Sequence, residues 1–447
     1  MLIARYLVLG LTLAAQDFNM GGFGGFGAGL YDGPALLGRG GNGVGATGSE
    51  SIPIRLTTGV NGTYNSNILG FSVDEKGNYK PVASAGVEGN LNISGQQRFR
   101  RAYLGVNYNG GYSHYSRASF NNGSNQGLNI AAAGRVSGRW VVNGQGLAGI
   151  SNRILGNYSY GSIAEAEFIT APTSELFDSR TYFMGVSSGA TYYKDRRNSF
   201  RFAGSASTVR RKARSLADMQ QYGATSDWVY RWNQRTSVGV SYQFYHYDFF
   251  KVFGDTDIHM IGVHIGRKIG RDWQLSVGAT GMQQSTVGVR RIELEPVLAQ
   301  LLGRSTGSEV FESNNLLYGG NVSIERTLRR LSYGVSLSRA ITPGNGFFVS
   351  AINEGGDGHL RFSTSRRTSL DSRAGYMRMA SLGFASGKLN SGYGGVGFSY
   401  QIVDAVSLQI NGDSRSFSIE QATFRRKGYQ ISIGLAYHPS RGIFSTK

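Results

Sequence analysis

The sequence predicts an all-β fold, a transmembrane antiparallel up-and-down β-barrel of about eighteen strands, with about sixteen as the alternative count. Three observations carry that reading. From Ser51 onward, apolar and polar residues alternate with period two in segments of about ten to fourteen residues. The connections between these segments alternate between tight polar turns and long polar stretches. No segment beyond the N terminus has the ~18 apolar residues that a spanning helix needs.

The alternation is regular enough to assign faces. In the segment from Asp272, Trp273, Leu275, Val277 and Ala279 share one face, and Gln274, Ser276, Gly278 and Thr280 share the other. The last segment sets Tyr429, Ile431, Ile433, Leu435 and Tyr437 against Gln430, Ser432 and Gly434. Ala102, Leu104, Val106, Tyr108 and Tyr112 likewise oppose Arg101, Tyr103, Asn107 and Asn109. One face is too polar and Gly-rich for the interior of a soluble sandwich. The other is apolar, with Tyr or Trp at its ends, as an interfacial girdle requires.

Short turns are expected near Gln96-Gln97, Gly138-Arg139, Asp195-Arg196, Asn233-Gln234, Gly270-Arg271, Arg329-Arg330, Arg366-Arg367 and Val403-Asp404. Between them lie long stretches, including Asn65 to Asn78, Ser151 to Phe177 and Ser285 to Phe311. With a first strand near Ile54 and a last strand ending near Tyr437, this rhythm gives about eighteen strands, with both termini on the short-turn, periplasmic side. The weakest alternation runs over Gly358 to Arg366 and Ser369 to Met379.

Composition agrees. Of 447 residues, 40% are hydrophobic and 17% charged, with 66 Gly and 7 Pro, a mixture unlike that of packed α/β enzymes or helical membrane proteins. With no Cys, disulfide scaffolds, thiolate metal sites and cysteine nucleophiles are excluded. Residues 1–15 (MLIARYLVLGLTLAA) read as a signal peptide. Residues 16–50, with GGFGGFGAG and GRGGNGVGATG, read as a flexible periplasmic tether. Residues 51–438 form the barrel and 439–447 a C-terminal tail.

The net charge of +18 would suggest nucleic acid, but many of the basic residues adjoin the short turns, among them Arg98, Arg139, Arg196, Arg271, Arg329 and Arg367, where they can face anionic headgroups. No nucleic-acid partner is therefore expected. By parity, nine basic residues face the lumen: Arg55, Arg101, Arg135, Arg201, Arg231, Lys268, Arg361, Arg373 and Arg415. Five acidic residues share that face: Glu88, Asp227, Glu325, Asp371 and Asp413. A low-dielectric wall would focus the positive excess on passing solutes. Alternatively, the Asp371/Arg373 and Asp413/Arg415 pairs act as ion-pair ladders that lock the wall. Ile292 to Leu302 (IELEPVLAQLL) is a candidate short helix at the mouth or on the rim.

Enzymatic chemistry finds no support. Gly185-Val186-Ser187-Ser188-Gly189 matches a nucleophile elbow in letters only, because it lies mid-strand with no following helix. The six His show no metal spacing, and His259 and His264 lie on opposite faces of their strand. Glu165 and Glu167, in a long loop, are a candidate carboxylate pair, although loop carboxylates are more often solvated, and no cofactor is expected.

Signal peptide, Gly-rich lead, alternation and turn-loop rhythm together resemble the outer-membrane β-barrel porins, from Ser51 to the C terminus. Within that group the chain is similar to barrels associated with exopolysaccharide secretion, such as the alginate exporter with its positively charged lumen. That resemblance implies residence in the cell outer membrane, contact with its lipid and lipopolysaccharide, and insertion by the barrel assembly machinery. The inward basic excess points to a passive channel favouring anions, and the resemblance implies passage of an acidic polysaccharide delivered by periplasmic export components. The alternative is a structural or adhesive barrel with a filled lumen that displays long loops.

Overall fold

A computed structural model describes residues 52–67, 81–117, 122–151, 180–213, 216–251, 254–293, 300, 303, 305–342, 350–382, 387–420 and 425–439. The expected signal peptide, tether and most of the C-terminal tail lie outside the described residues, as do the 152–179 stretch with Glu165 and Glu167.

Among the described residues, eighteen strands follow one another. They are β1 (Ile52–Asn65), β2 (Ser84–Arg98), β3 (Ala102–Tyr115), β4 (Gly123–Arg135), β5 (Trp140–Ser151) and β6 (Thr181–Tyr193). Next come β7 (Asn198–Arg211), β8 (Asp218–Arg231), β9 (Thr236–Phe250), β10 (Gly254–Ile269), β11 (Trp273–Glu293) and β12 (Thr306–Thr327). The last are β13 (Leu331–Thr342), β14 (Ala351–Ser363), β15 (Thr368–Ser381), β16 (Lys388–Val403), β17 (Val406–Ile419) and β18 (Arg425–Tyr437). Each pairs antiparallel with its sequence neighbours, and β1 pairs with both β2 and β18, which closes the sheet. Closure joins the first and last strands, so the sheet has no terminal edge whose unpaired N–H and C=O groups would cost several kcal/mol each in hydrocarbon.

The wall sorts its side chains as the alternation requires. On β18, Tyr429, Ile431, Ile433, Leu435 and Tyr437 are all about half exposed, whereas the intervening Gln430, Ser432 and Ala436 are buried. All four Trp, at 140, 228, 232 and 273, sit at the short-turn end. There Trp140 packs on Tyr192 at 4.9 Å, and Trp273 meets Tyr333 edge-on at 5.7 Å beneath the Arg326 guanidinium. An apolar outer belt with an aromatic girdle around a closed sheet is the wall of an outer-membrane barrel.

Three boundaries depart from expectation. Gln96 and Gln97 lie within β2, paired with Gly105 and Leu104, and the turn falls three residues later, at Phe99 to Arg101. Polar side chains there read as a turn, yet a strand end emerging into water tolerates them. The stretch from Ser285 to Phe311 is mostly wall, since β11 runs to Glu293 and β12 starts at Thr306, forming a hairpin of 21 and 22 residues. Of the candidate mouth helix, Ile292 and Glu293 belong to β11 and Gln300 is helical; the other residues lie outside the described set. The weakly alternating strand before Arg366 begins earlier, at Ala351.

Candidate functional site: the barrel lumen

Register places the sequence-selected charges at graded depths. Arg55, Arg135, Arg231 and Lys268 lie at the short-turn ends of β1, β4, β8 and β10, with Glu325 at the same end of β12. Arg101 departs from the reading as a wall residue: it belongs to the β2–β3 turn, and its carbonyl accepts the Arg135 N–H at 2.7 Å. Deeper in the bore, Arg201 on β7 stands directly opposite Asp227 on β8. Glu88 is buried on β2 and accepts the Tyr115 hydroxyl at 2.6 Å.

The densest charged surface spans β14 to β17. Arg361 faces Asp371, His359 faces Arg373, and Tyr393 faces Arg415 across adjacent strands. Gly395 separates Arg373 from Asp413. The Arg373 guanidinium lies 6.0 Å from the centre of the Tyr393 ring. Two glycines make room for these groups. A Cβ on Gly397 would meet the Asp371 carboxylate at 2.5 Å, and one on Gly375 would meet the Tyr393 ring at 2.5 Å. Glycine on this face thus lets long polar side chains lie along the wall. Arg361, Arg373 and Arg415 form three rungs at increasing depth on β14, β15 and β17, accompanied by Asp371 and Asp413.

Above the rungs the bore changes character. Phe183, Val209, Met219, Tyr247, Phe249, Ile258, Met260 and Met282, inward residues of β6 to β11, form one buried apolar cluster with Ala217 and Ile341. Ile341 joins because β13 leaves the wall. Its pairing with β12 stops at Arg339 opposite Gly320, whereas β11 and β12 stay paired up to Thr306. The β13–β14 end thus folds against the inner face of β11, where Gln284 Nε2 donates to Ser350 Oγ at 3.0 Å.

A second cluster joins Leu216 to Ala351, Met379 and Leu389, with Ala213 and Met377 packed against it. Leu216 and Ala213 belong to the β7–β8 connection; their partners are on β14, β15 and β16. Since β7 and β15 stand eight strands apart in an eighteen-strand ring, this connection, a strap between β7 and β8, meets the β14–β16 ends across the mouth. Arg211 anchors its base by donating to the Ala217 carbonyl. Lys251 Nζ donates to the carbonyls of Arg211 at 2.6 Å and Ala213 at 3.4 Å, and to Asp218 Oδ1 at 2.8 Å.

Sequence reading did not select the strap, Arg211, Lys251 or the apolar inner cluster. A signal was present. In Gln243 to Phe250 (QFYHYDFF) and Ile258 to Ile261 (IHMI), large apolar residues occupy both faces, which a watery bore alone does not call for. Gly185 to Gly189 lies within β6, without a helix after it. Among the described residues, no group of three or more His, Asp and Glu is placed to hold a metal ion.

No family model and no curated protein matches the chain. Solved structures that it resembles include Pseudomonas aeruginosa OpdK with vanillate, with 10% identity and a TM-score of 0.42 over 86% of this chain and 98% of that one. Pseudomonas aeruginosa OccK2 (OpdF) gives 11% and 0.44 over 87% and 99%, and a BenF-like porin from Pseudomonas fluorescens Pf-5 gives 10% and 0.44 over 86% and 99%. The fold assignment rests on the strand ladder of this chain itself.

Proposed function

We propose that the protein is an outer-membrane channel that passes small anionic solutes. The observation that carries this reading is the graded set of Arg361, Arg373 and Arg415 on the inner face of β14 to β17. Fixed charges at successive depths lower the barrier to an anion at each step. Weak, repeated contacts release it again, where one tight site would trap it. The rim residues Arg55, Arg135, Arg231 and Lys268 extend the positive field to the short-turn mouth.

Export of an acidic polysaccharide is the finer reading implied by the resemblance, and the strap weighs against it. A polymer would have to separate Leu216 from Met379 and Leu389, which are buried against one another. Small carboxylates demand less clearance. A second reading, a display barrel with a closed lumen, is favoured by the same packed clusters. Liposome swelling separates the two: entry of a small monocarboxylate faster than a neutral sugar of equal size supports the channel, and no entry of either supports the display barrel.

A further inference from the structure

At the long-loop end of the outer wall, one row of side chains differs from the apolar belt beneath it. Arg339 on β13 faces Glu354 on β14, which faces Arg378 on β15, which faces Asn390 on β16. Glu354 is shared, with Arg339 at 3.1 Å and Arg378 at 3.7 Å. The Arg339 guanidinium is set by the Tyr318 ring, 4.4 Å away. Next to the row, Lys388 lies 3.3 Å from Glu420, and Lys427 on β18 is exposed. Arg378 and Lys388 keep 42% and 45% of their side-chain surface open. The Tyr376 hydroxyl donates to Asn390 Oδ1 at 2.9 Å, a bond that does not use the Asn390 amide N–H groups.

The row is local. At the matching end of β9 and β10, the outer wall carries Asp248 opposite Asp255, and His246 opposite Asp257 at 2.7 Å. A uniform basic collar is therefore absent among the described residues. Directly below the row lie Leu337 and Tyr376, with Val335 and Val396 further down β13 and β16, all more than half exposed. Cationic and amide donors above an open apolar surface fit a ligand that has a phosphate head and acyl chains.

We propose that the outer wall of β13 to β16 binds a phosphate-bearing glycolipid of the outer leaflet. Arg378, Lys388 and the Asn390 amide hold the phosphate, Arg339 is fixed beside them by Tyr318 and Glu354, and Leu337, Tyr376 and Val396 carry the acyl chains. The inference rests on the outer-membrane placement proposed above.

The test uses the full chain in a zwitterionic detergent, with bound mass read by native mass spectrometry. Probes are diphosphorylated lipid A, dephosphorylated lipid A and inorganic phosphate. The phosphorylated lipid should bind one or more copies. R378Q/K388Q, first checked for heat-modifiable gel mobility, should lower its occupancy about tenfold, since charge-assisted contacts carry the head. Equal binding by that variant overturns the proposal, as does equal binding of the dephosphorylated lipid. Displacement by millimolar phosphate would make this a free-anion site, and a bound mass equal to a second copy of the chain would make it a subunit interface; either also overturns it. Because retention is read in detergent, its failure leaves the test of the lumen untouched.

Discussion

Lys251 and Asp218 close the base of the strap: the Lys251 ammonium lies 2.8 Å from Asp218 Oδ1 and also binds the carbonyls of Arg211 and Ala213. One side chain on the β9–β10 connection thereby holds both ends of the β7–β8 crossing. Lys251 sits at φ 68°, in the left-handed region that non-glycine residues seldom occupy, so its backbone is strained to deliver the ammonium. Lys251→Met should cost about 1–3 kcal/mol, because it leaves the largely buried Asp218 carboxylate without its cation. Denaturant titration of the detergent-folded barrel checks the loss. Single-channel recordings of the same variant should show longer or larger openings than wild type.

Met379 is fully buried between Leu216 and Leu389. Met379→Ala should destabilise by about 2–4 kcal/mol through the lost contacts and the remaining cavity. Met379→Asp should loosen the strap without unfolding the wall, which depends on the backbone ladder. Protease cleavage near Leu216, with heat-modifiable mobility retained, is the expected readout.

Sidedness follows from the turn and loop lengths, and the absence of Cys makes it easy to measure. Arg117→Cys lies beyond β3 at the long-loop end, and Arg330→Cys lies in the β12–β13 turn. A membrane-impermeant maleimide should label the first on intact cells and the second only after lysis. The opposite pattern would invert the barrel.

The β6–β7 turn offers a pH reading outside the wall. Asp195 accepts the N–H groups of Arg197 at 2.6 Å and Asn198 at 2.8 Å, together with the Asn198 amide at 2.9 Å. These bonds, the Arg197 N–H foremost, hold its carboxyl below the ordinary aspartate value. A depressed folded-state value means the contribution is present above the unfolded value and is lost as pH falls through the folded one. An NMR titration of the Asp195 carboxyl should thus show a midpoint below that of a free aspartate.

Strand count, closure and facing were legible in the sequence because period-two alternation is a direct consequence of the pleat. Tyr429 to Tyr437 alone separates lipid side from bore. The strap was not legible. Nothing local marks Leu216 as a residue that reaches Met379, since their contact depends on closing the ring and placing β7 opposite β15. The inward turn of β13 was hidden for a related reason: Ile341 keeps the parity of an outward residue, and only the end of β12 pairing at Gly320 lets it turn in. Arg361, Arg373 and Arg415 were found by parity, whereas the placement of Arg373 and Arg415 beside Tyr393 required the register.

The reversal potential in a planar bilayer under a salt gradient tests the central claim most directly. Wild type and Lys251→Met should both show anion preference, with the larger current in the variant. Replacing Arg361, Arg373 and Arg415 together by Gln in the Lys251→Met background should shift the potential toward zero while conduction persists. Cation selectivity, or no current even with the strap released, would contradict the account and leave the inner charges as ion pairs that brace a closed barrel.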